Sequence, residues 1–325
     1  MSDPRERPAD GRCNSEITTQ APGTVLPIYF SETAFAPASY ASGVPDAYAA
    51  GALLLFGSNG IVASYILLNS YEIVFLRTLI GSLFLIAVFL FSGRKPQGFH
   101  DKKHILYITI SGIAMGISWM LLYEAYKTVG VSIATLAYYC GPVIVMAVSP
   151  MVFQERMTLK KLSGFAAVIA GMYLVNKNGL FKTHVSAGLI FGILSAAMYA
   201  LMVIFNKKAK SITGLENSAF QLIISFLTVA VFMQTRQRLY ISSVFHNLFP
   251  VLFLGIVNTG IGCYFYFSSI GRLPAGSVAV CGYLEPLSAL IFSAFFLRER
   301  LSAVQLLGAV LILGGAVVGE LSRKK

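Results

Sequence analysis

Residues 139–156, YCGPVIVMAVSPMVFQER, have a second version in residues 283–300, YLEPLSALIFSAFFLRER, 144 positions further along the chain. Both versions begin with tyrosine, carry a proline at the fourth position and end in Glu-Arg. The same offset continues without a gap outside these stretches, where it pairs Glu72 with Glu216. Proline and Glu-Arg are uncommon in apolar sequence, so this ordered series of matches indicates an internal duplication.

Apolar segments alternate with short polar loops from residue 47 onward. Of the whole chain, 56% is hydrophobic and only 12% is charged, whereas soluble domains carry roughly 25% charged residues. Segments of about 20 residues suit helices that cross a hydrocarbon core roughly 30 Å thick. We therefore predict an all-α integral membrane protein. Its ten transmembrane helices, called spans 1–10, are expected at residues 47–67, 71–92, 104–126, 129–152, 160–177, 185–206, 216–234, 247–270, 274–297 and 301–320.

The loop charges predict an orientation for these spans. If the N-terminus is cytoplasmic, fourteen loop Lys and Arg residues lie inside and seven lie outside. Positive residues favour the cytoplasmic side, so both termini are expected there. This placement also explains much of the net charge of +11 without a nucleic-acid partner.

Each copy of the duplication contains five spans. Because five is odd, the second copy must lie upside down relative to the first in the membrane. We predict two inverted repeats, at residues 47–177 and 185–321. Inverted repeats allow a transporter to expose one central site to each side in turn.

Two further features carry less information. Residues 1–46 include a polar stretch rich in helix breakers, and we predict a disordered tail there. The four cysteines have neither CxxC nor zinc-like spacing. We therefore predict neither a disulfide framework nor a metal or cofactor site.

Several sequence pieces resemble the two EamA domains of the drug/metabolite transporter (DMT) superfamily. They are LLLFGSN in span 1, EIVFLR in span 2, the two duplicated stretches with the spans that follow them, and SAAMYALMVIFNKK in span 6. The resemblance covers about residues 47–320 and departs at Phe56–Gly57, where a Trp-Gly pair is common. It implies a bacterial carrier in the cytoplasmic cell membrane for amino acids or related metabolites, often an exporter. It does not imply one substrate.

Polar and aromatic side chains on helix faces are candidate substrate contacts. Trp119 and Tyr123 share one face of span 3, and Tyr199 lies on a similar face of span 6. Asn59 and Asn258 supply uncharged hydrogen-bonding groups in spans 1 and 8. For each residue the alternative is structural, either packing between helices or an aromatic belt at the membrane surface.

Two prolines, Pro142 and Pro286, occupy matching positions in spans 4 and 9. Each removes a backbone hydrogen bond and frees a carbonyl in the preceding turn. Matched broken helices near the midplane point to a transporter's binding site. We therefore include their neighbours Tyr138, Tyr139 and Tyr283 among the substrate contacts, with a kink of no function as the alternative.

Arg77 is a charge inside span 2. It could bind a substrate carboxylate, but it could equally extend to the membrane surface or pair with Glu72 or Glu124. The duplication places Gln221 at the position equivalent to Arg77, so the charge is present in one repeat only.

Glu285 is the only charge between Arg272 and Arg298. It lies next to Pro286, and its equivalent in the first repeat is Gly141. A carboxylate at this depth is costly unless it is paired. It could exchange a proton for substrate during transport, or it could be a protonated group that bonds a neighbouring helix.

The leading hypothesis is an alternating-access carrier for amino acids or related metabolites, with a small-molecule substrate, membrane lipid around it and no enzymatic activity. An intramembrane enzyme would need a catalytic pair at membrane depth, yet all four histidines lie in loops or at span edges. A channel would need a ring of repeated filter residues, which is not evident. An exporter of drugs or other lipophilic compounds and a metabolite importer remain alternatives. Gly315 and Gly319 have the spacing of a helix contact, so both a monomer and a homodimer are open.

Overall fold

The computed structural model describes residues 44–93, 96, 101–129, 134, 137–154, 158–180, 187–236, 247–296 and 302–321, and within these ranges every regular element is a helix. The all-α prediction is therefore confirmed for the described chain, whereas the predicted tail lies outside it except for residues 44–46. In chain order the helices are α1 (Val44–Gly57), α2 (Asn59–Ser64), α3 (Ser70–Phe91), α4 (Lys102–Val129), α5 (Cys140–Phe153), α6 (Leu159–Leu180), α7 (Ala187–Lys208), α8 (Gly214–Arg236), α9 (Leu248–Phe253), a π-helical segment (Leu254–Ile261), α10 (Gly262–Ile270), α11 (Ala275–Cys281), α12 (Leu284–Phe296) and α13 (Ala303–Leu321).

Five helices in the described ranges are long and apolar enough to cross a membrane. They are Ser70–Phe91, Lys102–Tyr126, Ala187–Lys208, Gly214–Thr235 and Leu248–Ile270. They correspond to predicted spans 2, 3, 6, 7 and 8. Spans 1 and 9 are each divided by a short interruption, at Ser58 and at residues 282–283. A total of ten spans stays a prediction.

The helix contacts come in equivalent pairs. Helix α1 packs against α10 and α12, and its counterpart at an offset of 144 residues, α7, packs against α4 and α5. We call α1, α10 and α12 the first triplet, and α7, α4 and α5 the second triplet. The remaining long helices pack against their own counterparts, α3 on α8 and α6 on α13. The contacts therefore follow the duplication seen in the sequence.

Four glycines bring α6 and α13 together. A Cβ atom on Gly171 would lie 2.5 Å from the carbonyl oxygen of Gly308, and one on Gly315 would overlap the carbonyl oxygen of Gly164. Small residues at such crossings let helix backbones approach closely in a membrane. The earlier glycine of α6 meets the later glycine of α13, so these equivalent helices are antiparallel, as inverted repeats require. Gly315 therefore makes a contact within the chain.

Candidate functional site

A cavity lies between the two triplets. Its space free of protein atoms is about 520 Å³, including the part that opens to the outside. The lining consists of Leu53, Phe56, Asn59, Cys263, Tyr266, Phe267 and Glu285 from the first triplet and the start of α2, Met115, Ser118, Trp119, Tyr138, Tyr199 and Met202 from the second triplet and the residues before α5, and Arg77 from α3. The cavity therefore has aromatic walls and carries one side chain of each charge.

The residues predicted from the sequence divide into two groups. Lining the cavity are Asn59, Arg77, Trp119, Tyr138, Tyr199 and Glu285. Behind this lining, in contact with it or with the helix breaks, are Tyr123, Tyr139, Asn258 and Tyr283. Sequence reasoning missed Met115 and Phe267 as cavity residues. Their spacing of three and four residues from other lining positions on the same helix is the signal that could have found them.

Arg77 is 3% exposed and is held from three sides. Its Nε donates to Thr259 Oγ1 at 3.0 Å, and its Nη1 donates to Tyr123 Oη at 3.3 Å. Its guanidinium carbon lies 4.3 Å from the centre of the Trp119 ring, in a cation–π contact. Thr259 was not among the predicted site residues, although it follows Asn258 directly.

The two carboxylates considered above as partners of Arg77 have other contacts. Glu72 Oε2 accepts a hydrogen bond from the backbone N–H of Asn69 at 2.8 Å, at the start of α3. Glu124 accepts a hydrogen bond from the hydroxyl of Tyr71. Neither forms an ion pair with Arg77 within 4.0 Å among the described residues. The guanidinium is thus positioned by neutral groups.

Asn258 joins the π-helical segment to the break in span 1. Its Nδ2 lies 3.1 Å from the carbonyl oxygen of Leu55, 2.8 Å from Ser58 Oγ and 3.0 Å from Asn59 Oδ1. The side chain is fully buried, and its Oδ1 has no partner among the described residues. Asn258 thereby stabilises the point where α1 gives way to α2, beside the cavity.

The matched prolines each lie in the first turn of a helix, Pro142 in α5 and Pro286 in α12. Proline is well tolerated there, because the first-turn N–H groups have no partner within the helix. The helix path is interrupted just before each proline, at Tyr139 and at residues 282–283. The two interruptions face each other, since Tyr283 Oη donates to the backbone carbonyl of Tyr139 at 3.1 Å.

The position equivalent to Arg77 is neutral and fully engaged. Gln221 Nε2 donates to Ser111 Oγ at 2.9 Å, and Gln221 Oε1 accepts from Asn206 Nδ2 at 3.2 Å. Asn206 and Asn217 also exchange two hydrogen bonds, of 2.9 and 3.0 Å. All of these side chains are buried. The duplicated framework therefore accommodates an uncharged, hydrogen-bonded amide at this position.

Glu285 is the acidic side chain of the cavity. No hydrogen bond or ion pair of its carboxylate occurs among the residues that the structure describes. Within the same ranges no three His, Cys, Asp or Glu side chains cluster as a metal site would require. The cavity can therefore offer a ligand one cationic donor group, one acidic group and aromatic surfaces.

Comparison with known proteins relates the chain to membrane carriers. The profile of the EamA-like transporter family matches residues 44–177 and 186–319. An uncharacterized transporter of Bacillus subtilis (strain 168), YxxF, is 24% identical over 281 residues, which cover 84% of this chain and 88% of the relative. A probable amino-acid metabolite efflux pump of Escherichia coli (strain K12) is 28% identical over 197 residues, which cover 57% of this chain and 66% of the pump.

The fold is also found in a solved structure. A crystal structure with 17% sequence identity superimposes with a TM-score of 0.74, over 86% of this chain and 98% of that one. The two matched regions of the family profile cover most of the chain and agree with the paired helix contacts. With several helices long and apolar enough to cross a bilayer, this is a multi-pass membrane protein. It belongs to the EamA-like transporter family, within the drug/metabolite transporter superfamily.

Proposed function

We propose that the protein is an alternating-access secondary transporter whose substrate binds in the cavity between the two triplets. The observation that carries this proposal is the position of the cavity. It lies between helix groups related by the internal duplication, and it holds the charges of Arg77 and Glu285. Binding at the interface of inverted repeats allows two equivalent movements to open the site to opposite sides.

Each triplet is tied together internally. In the second triplet, Ser118 Oγ donates to the Ser195 carbonyl at 2.9 Å, and Ser195 Oγ donates to the Ser118 carbonyl at 2.7 Å. In the first triplet, Ser288 Oγ donates to the Leu53 carbonyl at 3.2 Å. These bonds support movement of each triplet as a unit.

Few hydrogen bonds among the described residues join one triplet to the other. The hydroxyls of Tyr199 and Tyr266 lie 2.8 Å apart, and Tyr283 bonds the Tyr139 carbonyl. Arg77 connects the second triplet, through Tyr123, with the π-helical segment that precedes α10, through Thr259. A hydrogen bond contributes a net of about 0.5–1.5 kcal/mol, so a small set can break and re-form during each transport cycle.

Amino acids or related small metabolites are the proposed substrates, and export across the cytoplasmic membrane is the proposed direction. The Escherichia coli relative, a probable amino-acid metabolite efflux pump, supports both, and the hydrogen-bonding groups of the cavity support the substrate class. The proposal includes ten spans, repeats bounded near residues 47–177 and 185–321, both termini in the cytoplasm, and membrane lipid around the bundle.

The test is transport by purified protein in liposomes with an imposed proton gradient. We expect at least one labelled amino acid or related metabolite to accumulate faster than in empty liposomes. Inside-out and right-side-out membrane vesicles then separate export from import, and a panel of lipophilic cations tests the drug-exporter alternative. Correctly inserted protein that moves none of these compounds would contradict the proposal.

A further inference from the structure

Two opposite charges line the same cavity without pairing with each other. Among the described residues, no nitrogen of Arg77 lies within 4.0 Å of an oxygen of Glu285, although both side chains contribute to the lining. Nε and Nη1 of Arg77 donate to Thr259 and Tyr123. Nη2 makes no hydrogen bond among the described residues, and neither does the carboxylate of Glu285.

A charge at membrane depth is costly unless an opposite charge or several hydrogen bonds compensate it. The contacts of Arg77 fix its orientation without neutralising it, because a threonine, a tyrosine and a tryptophan ring are all uncharged. Each of the two cavity charges therefore gains from a ligand group of opposite sign. Guanidinium groups bind carboxylates particularly well, through parallel hydrogen bonds.

The duplication shows that the framework does not need these two charges. Gln221, equivalent to Arg77, completes a neutral network with Ser111 and Asn206. Gly141, equivalent to Glu285, leaves no room for a side chain, because its Cβ would lie 2.7 Å from the Tyr199 ring. Each charge is thus present in one repeat only, Arg77 in the first and Glu285 in the second.

We infer that the cavity selects zwitterions, with the ligand carboxylate on Arg77 and the ligand ammonium group on Glu285. This inference rests on the proposed function and narrows it. A zwitterion compensates both charges at once. An anion leaves Glu285 uncompensated and a cation leaves Arg77 uncompensated, so a ligand with a single charge binds more weakly even when the rest of the molecule is identical.

Trp119 provides the measurement. It is the single tryptophan of the chain, and its ring stacks on the guanidinium of Arg77. A carboxylate that binds Arg77 should therefore change the fluorescence of the purified protein. The probes are the proteinogenic L-amino acids, their N-acetyl derivatives, which lack the ammonium group, and their methyl esters, which lack the carboxylate. Thermal stabilisation by the same ligands gives a second readout that does not depend on Trp119.

With wild-type protein, we expect at least one free amino acid to bind and its two derivatives to bind at least tenfold more weakly. The zwitterion inference would be overturned if only the N-acetyl forms or only the esters bound, or if all three forms bound equally. Neither result would contradict the proposed transport function. If no compound of any panel binds, the inference is wrong. The transport assay, with its wider metabolite panel, then decides the proposed function separately.

Two variants test the assignment of the groups. Arg77→Gln introduces the residue that the second repeat already carries. It should lower the affinity for free amino acids at least tenfold and raise the affinity for the esters relative to that for the free amino acids. Glu285→Gln should lower the affinity for free amino acids by a similar factor and raise the relative affinity for the N-acetyl forms instead. Lys208→Gln and Glu216→Gln remove the same charges outside the cavity lining and should leave all three panels unchanged. Equal losses for every panel in both cavity variants would mean that the two residues act only structurally.

Discussion

At the scale of single residues, the site depends on how Arg77 is oriented. Thr259 Oγ1 accepts from its Nε and also donates to the Leu254 carbonyl at 2.8 Å. One hydroxyl therefore connects the guanidinium to the backbone of the π-helical segment. A guanidinium anchored in this way presents its remaining donors in a fixed direction, which reduces the entropy lost when a ligand binds.

Removing that hydroxyl should weaken ligand binding. Thr259→Val keeps the size and branching of the side chain but leaves Arg77 Nε without its acceptor. We expect the affinity for the preferred substrate to fall by about tenfold, the equivalent of about 1.4 kcal/mol. Thr259→Ser retains the hydroxyl and is the matched control. Equal affinities of the valine variant and the wild type, measured by Trp119 fluorescence, would show that the hydroxyl does not position Arg77.

The hydroxyl pair of Tyr199 and Tyr266 suggests a second change. Tyr199→Phe removes the bond across the cavity and keeps the ring, whose centre lies 5.5 Å from that of Tyr138. We expect the contact between the triplets to be about 1 kcal/mol less stable. Cys263, on the cavity wall, should therefore react faster with cysteine reagents. The same rate of labelling in both proteins would contradict a closing role for this pair.

At the scale of helices, interrupted and widened segments surround the cavity. The segment Leu254–Ile261 is π-helical, with a wider turn than an α-helix. Widened turns of this kind are frequent at functional sites. It lies directly against the break in span 1, to which Asn258 bonds. Irregular segments therefore lie beside the cavity, together with the regular helices α4 and α7 that line it, whereas α6 and α13 meet through close glycine contacts.

The glycine contact of α6 and α13 can be tested with neighbouring residues. In Gly315→Ala the added methyl group would overlap the Gly164 carbonyl oxygen, so the helices must separate. Overpacking of this kind costs about 1–3 kcal/mol, or several degrees in the midpoint of thermal unfolding in detergent. Gly314→Ala is the control, since its Cβ would have no atom within 4 Å. Equal midpoints for the two variants would disprove tight packing at Gly315.

The sequence predicted the helical class and the two related halves because both rest on periodic patterns. It did not predict the break at Ser58 or the role of Thr259. Gly57 and Ser58 are weak helix formers in water, but membrane helices tolerate such residues when neighbours satisfy the backbone. Which neighbour does so depends on packing between residues about 200 positions apart, as with Asn258 and Ser58. The hydrogen-bond partners of Arg77, Thr259 and Tyr123, likewise depend on packing between helices. The sequence alone therefore suggested Glu72 and Glu124 as partners instead.

At the scale of the whole molecule, helices that are equivalent in sequence also make equivalent contacts in the two halves. Helices α6 and α13 are antiparallel equivalents, and this is the geometry of repeats inserted with opposite orientations. The two halves also differ in charge at the cavity. Arg77 faces it from one repeat, and Gln221 completes a neutral network in the other.

The proposed orientation can be tested with single cysteines. In a variant whose four native cysteines are replaced by serine, Gln97→Cys places one thiol between predicted spans 2 and 3, and Gln237→Cys places one between predicted spans 7 and 8. In right-side-out vesicles we expect an impermeant maleimide to label Gln237→Cys at once and Gln97→Cys only after permeabilisation, because Lys and Arg are more abundant on the side predicted to be cytoplasmic. The reverse pattern would invert the proposed orientation, and labelling of both from outside would contradict the predicted spans between them.

The presence of one cation and one carboxylate in the same cavity has an electrical consequence. With both groups ionised their sum is zero, and a zwitterionic cargo adds nothing to it. Moving one elementary charge against 100 mV requires about 2.3 kcal/mol. A site without net charge, empty or loaded, needs none of this energy when it turns from one side of the membrane to the other. The rate at which such a site reorients should be indifferent to the membrane potential.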